Sequence, residues 1–186
     1  MFQRLRPTAT LRALSRAASS STKLAVGSKL PATTLVEARF VEGGSGPIDL
    51  AAATKGKTVA IFGLPGAFTP ACSEKHFPAY VENHAAFLSA GVDEIWCIVV
   101  NDPFVLSAWG RAQKAEGKVR LISDGDAVWT KANDLVFDLT GKSMGLRSTR
   151  YSLLVKDGVI THSNIDAPGK FDVSDAATLL AQINKH

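Results

Sequence analysis

Thr58-Val59-Ala60-Ile61-Phe62-Gly63-Leu64-Pro65-Gly66-Ala67-Phe68-Thr69-Pro70-Ala71-Cys72 is the stretch that decides the fold. Its first five residues are β-branched or apolar and read as a buried strand. Two glycines and a proline then break the run. The chain restarts as a helix, with Thr69 and Pro70 where an N-cap and a first-turn proline belong. This strand–turn–helix order delivers Cys72 into the opening turn of a helix. Free N–H groups and the positive end of the helix dipole favour an anion there, so the thiolate gains over the thiol. Thr69 lies one helical turn before Cys72, which lets its hydroxyl face the sulfur. Pro65 can shield one side of that position from water, and Gly66 permits close backbone approach.

Outward from this stretch, strand and helix patterns alternate, with no repeat and no linker after Leu24. The helix begun at Thr69 is expected to run to about Leu88, ending near Gly91. A strand over 95–100 follows, then a helix over 104–115 closed by Gly117. A strand over 119–123 and a short helix over 127–133 come next. Tyr151–Val155 and Val159–Ser163 flank Lys156-Asp157-Gly158, a hairpin with Asp-Gly in its turn. Residues 173–184 read as a closing amphipathic helix with Leu179, Leu180 and Ile183 inward. Parallel βα units followed by an antiparallel hairpin predict an α/β chain, a central mixed sheet flanked by helices. That order suits a thioredoxin-like fold with extra elements.

The chain has 186 residues, 46% of them hydrophobic, enough for one domain with a substantial core. Its formal net charge of +4 is unevenly placed. Arg4, Arg6, Arg12, Arg16, Lys23 and Lys29 precede the first acid, Glu37, and without those six the rest carries 15 basic against 17 acidic residues. A nucleic-acid-binding surface needs cations clustered on the folded part, and the sequence offers no such cluster. Residues 1–23 are rich in arginine and serine and free of acids, the marks of an organelle transit peptide. The even spread of arginines from residue 4 onward favours a mitochondrial destination, with the plastid or cytoplasm as alternatives. The leader has no long apolar core, which speaks against a secretory signal or a membrane span. Residues 24–186 form the expected single domain.

The second cysteine, Cys97, sits in Glu94-Ile95-Trp96-Cys97-Ile98-Val99-Val100, a buried-strand pattern without flanking cations, and a packing role is expected for it. The pair is neither CxxC nor a disulfide framework, so the chain reads as reduced and intracellular, without a zinc site. A thiolate at a helix start can attack disulfides, carbonyls or peroxides. Disulfide exchange of the CxxC kind needs a second nearby cysteine, and hydrolysis needs a histidine base. His76 lies four residues after Cys72, but an i+4 ring points along the helix axis, which favours packing or capping. Peroxide reduction needs a thiolate, a donor that aligns the peroxide, and a cation for the developing charge. Arg147 and Arg150, at the entrance to the hairpin, are both candidates for that cation. No metal, haem, flavin or nicotinamide is required, and Gly63-Leu64-Pro65-Gly66 lacks the lysine of a phosphate loop.

Pro65-x-x-x-Thr69-x-x-Cys72 resembles the active-site pattern of peroxiredoxins. The longer run Pro65-Gly66-Ala67-Phe68-Thr69-Pro70-Ala71-Cys72-Ser73-x-x-His76-x-Pro78 is similar to their type II, peroxiredoxin-5-like subgroup. Val99-Val100-Asn101-Asp102-Pro103-Phe104, Trp109-Gly110-Arg111 and Arg150-Tyr151-Ser152 with Asp157-Gly158 match it in order. The resemblance implies a thioredoxin-fold thiol peroxidase, active on hydrogen peroxide and alkyl hydroperoxides. It implies Cys72 as the peroxidatic cysteine, Thr69 as its hydrogen-bonding partner, Pro65 as shield and Arg150, before the Tyr-Ser pair, as activating cation. It also suggests a homodimer across the face carrying the site. Animal members carry a resolving cysteine in the C-terminal third, and residues 164–186 here contain none. Cys97 matches the second cysteine of plant-type members. The resolving thiol is then either Cys97 or an external one, supplied by glutathione with glutaredoxin or by thioredoxin. A peroxide sensor with little turnover and a structural module with an inert Cys72 are the rival readings.

Overall fold

The computed structural model describes residues 23–40 and 44–185. The expected transit peptide lies outside them except for Lys23. Seven strands make the main sheet in the order β2-β1-β5-β4-β3-β8-β9. They are β1 (Thr34–Ala38), β2 (Ser45–Asp49), β3 (Thr58–Leu64), β4 (Glu94–Val99), β5 (Arg120–Ser123), β8 (Tyr151–Lys156) and β9 (Val159–Ile165). A separate hairpin joins β6 (Val136–Leu139) to β7 (Gly145–Ser148). Strands β3, β4 and β5 are parallel, while β1 and β8 pair antiparallel to them, so the sheet is mixed as expected.

Alternation along the central strands divides the core into two layers. Ala60, Phe62 and Leu64 of β3, with Ile95, Cys97 and Val99 of β4, join a layer with Phe77, Tyr80, Phe87, Leu106, Trp109 and Leu179. Val59 and Ile61, with Trp96 and Ile98, face the other way, against Leu24, Leu50, Trp129, Tyr151 and Leu153. The helices supplying these layers are α1 (Leu50–Ala53), α2 (Phe77–Glu82), α3 (His84–Ser89), α4 (Pro103–Ala112), α5 (Val128–Ala132) and α6 (Ala176–Ile183). Asp102 caps α4 through the Phe104 and Val105 amides, and Asp175 caps α6 through the Thr178 amide.

The predicted hairpin is present with its turn at Asp157-Gly158, both at positive φ (48° and 74°). The structure departs from the sequence reading in three places, one a correction and two additions. First, the helix expected over 69–88 is not continuous: residues 72–76 form a π-turn in which the Phe77 amide bonds the Cys72 carbonyl, and Asn83 separates α2 from α3. Pro78 supplies a reason, since it has no N–H to give to Glu74 four residues back and its ring crowds that carbonyl. A widened turn just before it avoids the clash. Second, β1 and β2 did not stand out in the sequence, because Ser45-Gly46-Pro47-Ile48-Asp49 carries glycine and proline. As the edge strand of the sheet, β2 tolerates Pro47 opposite Val36. Third, β6 and β7 were missed because their burial is partial and irregular.

Candidate active site

Cys72 opens the π-turn and is fully buried. The first backbone bond of the helical segment runs from the Ser73 amide to the Thr69 carbonyl at 2.9 Å. The Cys72 amide, one residue earlier, enters no backbone bond outside regular elements among the described residues, and it faces the end where the helix dipole is positive. Arg150, between β7 and β8, places Nη2 3.5 Å from Cys72 Sγ. It is itself only 7% exposed. The guanidinium and the sulfur are both buried, so the positive charge at Cys72 Sγ is little screened by water.

A strap over residues 166–174 holds Arg150 from behind. The Lys170 carbonyl accepts from Arg150 Nη1 at 3.0 Å, and the Phe171 ring lies 5.6 Å from the guanidinium. Asp166 ties the strap to itself, accepting from the Val173 amide at 2.8 Å and from the Ser174 hydroxyl. The Thr149 hydroxyl fastens it to the strand by donating to the Asp166 carbonyl at 2.7 Å. Nothing in the order of residues 166–174 announces this strap, whose polar contacts follow no periodicity.

The loop from Pro65 to Thr69 forms the other wall. Pro65, Gly66 and Ala67 are buried, while Phe68 is 60% exposed and takes a left-handed φ of 58°. The Thr69 hydroxyl donates to the Gly66 carbonyl at 2.8 Å, so its proton points into the loop rather than toward the sulfur. Its oxygen lone pairs remain able to accept. The two candidate arginines separate clearly. Arg150 lies on the sulfur, whereas Arg147 Nη1 lies 3.4 Å from the Pro65 carbonyl and 3.2 Å from Asn101 Oδ1. Asn101 belongs to a matched motif, but nothing in Val99-Val100-Asn101-Asp102 indicates that its side chain reaches the loop.

His76 is a packing residue in this structure. Its ring is buried among Phe62, Tyr80 and Phe171, and Nε2 meets the Ser174 carbonyl at 3.1 Å, which also accepts from Tyr80. Burial pulls its pKa down to about 4, with the Arg150 charge acting in the same direction and the Ser174 bond opposing. Ser73 accepts from Trp109 Nε1 at 3.0 Å, linking the π-turn to α4.

Cys97 lies within β4, opposite Phe62 of β3 and Leu121 of β5. It is fully buried, and burial pushes its thiol well above the ordinary value, with the proximity of Cys72 adding to the effect. Its neighbours and its titration are those of a core side chain.

A family model described as Redoxin matches residues 25–180. The chain is 45% identical over 125 residues to peroxiredoxin-2B of Arabidopsis thaliana, covering 67% of this chain and 77% of that protein. It is 41% identical over 160 residues to the chloroplastic peroxiredoxin-2E-2 of Oryza sativa subsp. japonica, covering 84% and 71%. Among solved structures it is similar to reduced Prx3 of Vibrio vulnificus in complex with hydrogen peroxide. There the TM-score is 0.80 and the identity 42%, over 86% of this chain and 98% of that one.

Proposed function

The chain belongs to the redoxin family and is a type II peroxiredoxin, a thiol-dependent peroxidase; on that premise we propose that Cys72 is its peroxidatic thiol and that a thiol from outside the chain resolves it. The observation that carries the first part is the Arg150 guanidinium 3.5 Å from Cys72 Sγ at the start of a helical segment. The thiolate attacks the terminal oxygen of hydrogen peroxide or an alkyl hydroperoxide and the O–O bond breaks. The remaining oxygen leaves as hydroxide or alkoxide and takes a proton, giving water or alcohol, while Cys72 becomes a sulfenic acid. Arg150 and the Cys72 amide stabilise the charge that develops, Thr69 Oγ1 accepts a hydrogen bond from the peroxide O–H, whose proton stays on the sulfenic acid, and Pro65 keeps bulk water off the reacting atoms.

A thiol then condenses with the sulfenic acid, releasing water and leaving a mixed disulfide. A second thiol restores Cys72 and departs as the oxidised disulfide. Cys97 is poorly suited to this step. A disulfide needs its two Cα atoms within about 7 Å and its sulfurs aimed at each other. Cys97 is ladder-paired on both sides in the middle of the sheet. Glutathione with glutaredoxin, or thioredoxin, is the expected reductant. The test is mass spectrometry of peroxide-oxidised protein quenched with glutathione, with steady-state turnover of Cys97→Ser. A Cys72–glutathione adduct and retained turnover support the reading. A Cys72–Cys97 disulfide, or lost turnover in Cys97→Ser, refutes external resolution.

Two further parts belong to the same reading. Residues 1–23 act as a mitochondrial targeting leader, on the arginine spread described above; the chloroplastic relatives support the plastid alternative. Fusing them to a fluorescent protein in cells with both organelles decides between the two. The chain forms a homodimer, for which Phe68, Phe104 and Val128 give support. They are 60%, 74% and 52% exposed, and follow the ends of β3, β4 and β5 on the side of Cys72. Sedimentation equilibrium of reduced protein tests this.

A further inference from the structure

Three consecutive backbone polar groups in the loop ahead of Cys72 are held by three different side chains. Arg147 Nη1 lies on the Pro65 carbonyl at 3.4 Å, the Thr69 hydroxyl donates to the Gly66 carbonyl at 2.8 Å, and the Ala67 amide donates to Asn101 Oδ1 at 3.0 Å. Asn101 Oδ1 also accepts from Arg147 Nη1 at 3.2 Å, so two of the three holds meet at one oxygen. Both partners are donors, which fixes the amide oxygen rather than its nitrogen toward the loop. Asn101 is itself anchored, since its carbonyl accepts from the Ser123 hydroxyl at 2.6 Å, and Arg147 Nε donates to the Met144 carbonyl at 2.8 Å. The fit is close: a Cβ on Gly66 would stand 2.7 Å from Arg147 Nη1 and 3.5 Å from Asn101 Oδ1.

Neither Asn101 nor Arg147 bonds to the Cys72 sulfur. What they share is the loop wall that carries Pro65 and Thr69. We infer that Asn101 and Arg147 together are positioning residues for peroxide: they fix the 65–69 loop so that Thr69 and the shielding Pro65 stand at the right distance from Cys72. They act on the geometry of the oxygen-transfer step and not on the sulfur itself, which Arg150 touches and they do not. A near-attack arrangement tolerates little displacement, so slackening this wall by one lost hydrogen bond to a charged group costs roughly tenfold in rate. The inference rests on Cys72 being the peroxidatic thiol.

The experiment compares two rates in the same folded protein: rapid-mixing oxidation by hydrogen peroxide and alkylation of reduced protein by iodoacetamide. The chains are wild type, Asn101→Ala, Asn101→Asp, Arg147→Ala and the Asn101→Ala/Arg147→Ala pair, each in a Cys97→Ser background so that only Cys72 reacts. Asn101→Ala is expected to oxidise about tenfold slower while alkylating within twofold of wild type. Asn101→Asp, which keeps the acceptor for Ala67 and Arg147, restores most of the oxidation rate. The double variant loses less than the product of the two single losses, because the contact between Asn101 Oδ1 and Arg147 Nη1 is common to both while each also holds a loop group of its own; a fully multiplicative loss overturns the coupling. Unchanged oxidation in Asn101→Ala, or a parallel loss of oxidation and alkylation, overturns the inference. Cys72→Ser run alongside isolates the underlying reading: if peroxide oxidation survives in it, the assignment of Cys72 itself is wrong.

Discussion

Replacing His76 with phenylalanine should remove a specific part of the acid sensitivity of this fold. The ring is fully buried, and its Nδ1 has no hydrogen-bond partner, so a second proton on the imidazole has nowhere favourable to go. Its pKa is drawn down to about 4 from 6.5, by burial above all and further by Arg150, with the Ser174 carbonyl bond the main opposing influence and Asp166 and Asp175 behind it. Because the folded value is the lower one, the unfolded chain binds the extra proton more readily between these two pH values. Stability from this group is therefore full above pH 6.5 and falls as the pH drops toward 4. The loss is about 2 kcal/mol between pH 7 and pH 5, and about 3 kcal/mol by pH 4. Phenylalanine keeps the packing against Phe62, Tyr80 and Phe171, and the Tyr80 hydroxyl still serves the Ser174 carbonyl. Urea unfolding of reduced wild type and His76→Phe at pH 7, 6 and 5 measures the effect, and taking the difference between the chains cancels the carboxylates. The gap should shift by about 2 kcal/mol in favour of the variant between pH 7 and pH 5. Curves that fall in parallel would refute the argument, as would a His76 ring-proton NMR shift that titrates near pH 6.5.

Gly63→Ala should be severely destabilising, since its Cβ would stand 2.1 Å from the buried Tyr151 ring, whose hydroxyl accepts from Trp129 Nε1. Overpacking plus the disturbed bond costs about 3–5 kcal/mol, or roughly 10 °C in Tm; a loss under about 3 °C in a thermal melt contradicts this. Arg150→Ala should lower the rate of oxidation by hydrogen peroxide about 100-fold or more, read by rapid mixing, because it removes the cation on the sulfur. A chain starting at Ala25 should lose about 2–3 kcal/mol in urea unfolding against one starting at Lys23. Leu24 is fully buried and Lys23 Nζ donates to the Ala132 carbonyl at 2.5 Å.

What was legible in the sequence is what local chemistry dictates. The run into Cys72, the buried character of β4 and the Asp157-Gly158 turn each follow from period, punctuation or a required positive φ. The elements that escaped are defined by partners far along the chain. Strand β2 is a strand because β1 lies beside it, and nothing in Ser45-Gly46-Pro47-Ile48-Asp49 announces that. The π-turn at Cys72 depends on Pro78 six residues later. Arg147 and Arg150 are three residues apart with similar surroundings, and only the bend between β7 and β8 sends one to the loop and the other to the sulfur. Asn101 shows the same limit, since its effect on the loop exists only once the ends of β3, β4 and β5 stand side by side.

Cys72 and Cys97 are equally hidden from solvent, yet they are hidden behind very different amounts of structure. Cys72 lies beneath a short loop and a widened helical turn, elements that can open without parting any strand of the sheet. Cys97 is released only when the middle of a seven-stranded sheet comes apart. A thiol reagent added to the native protein therefore keeps two clocks in one molecule. Labelling of the first dates the breathing of the active site, and labelling of the second dates the loss of the whole fold.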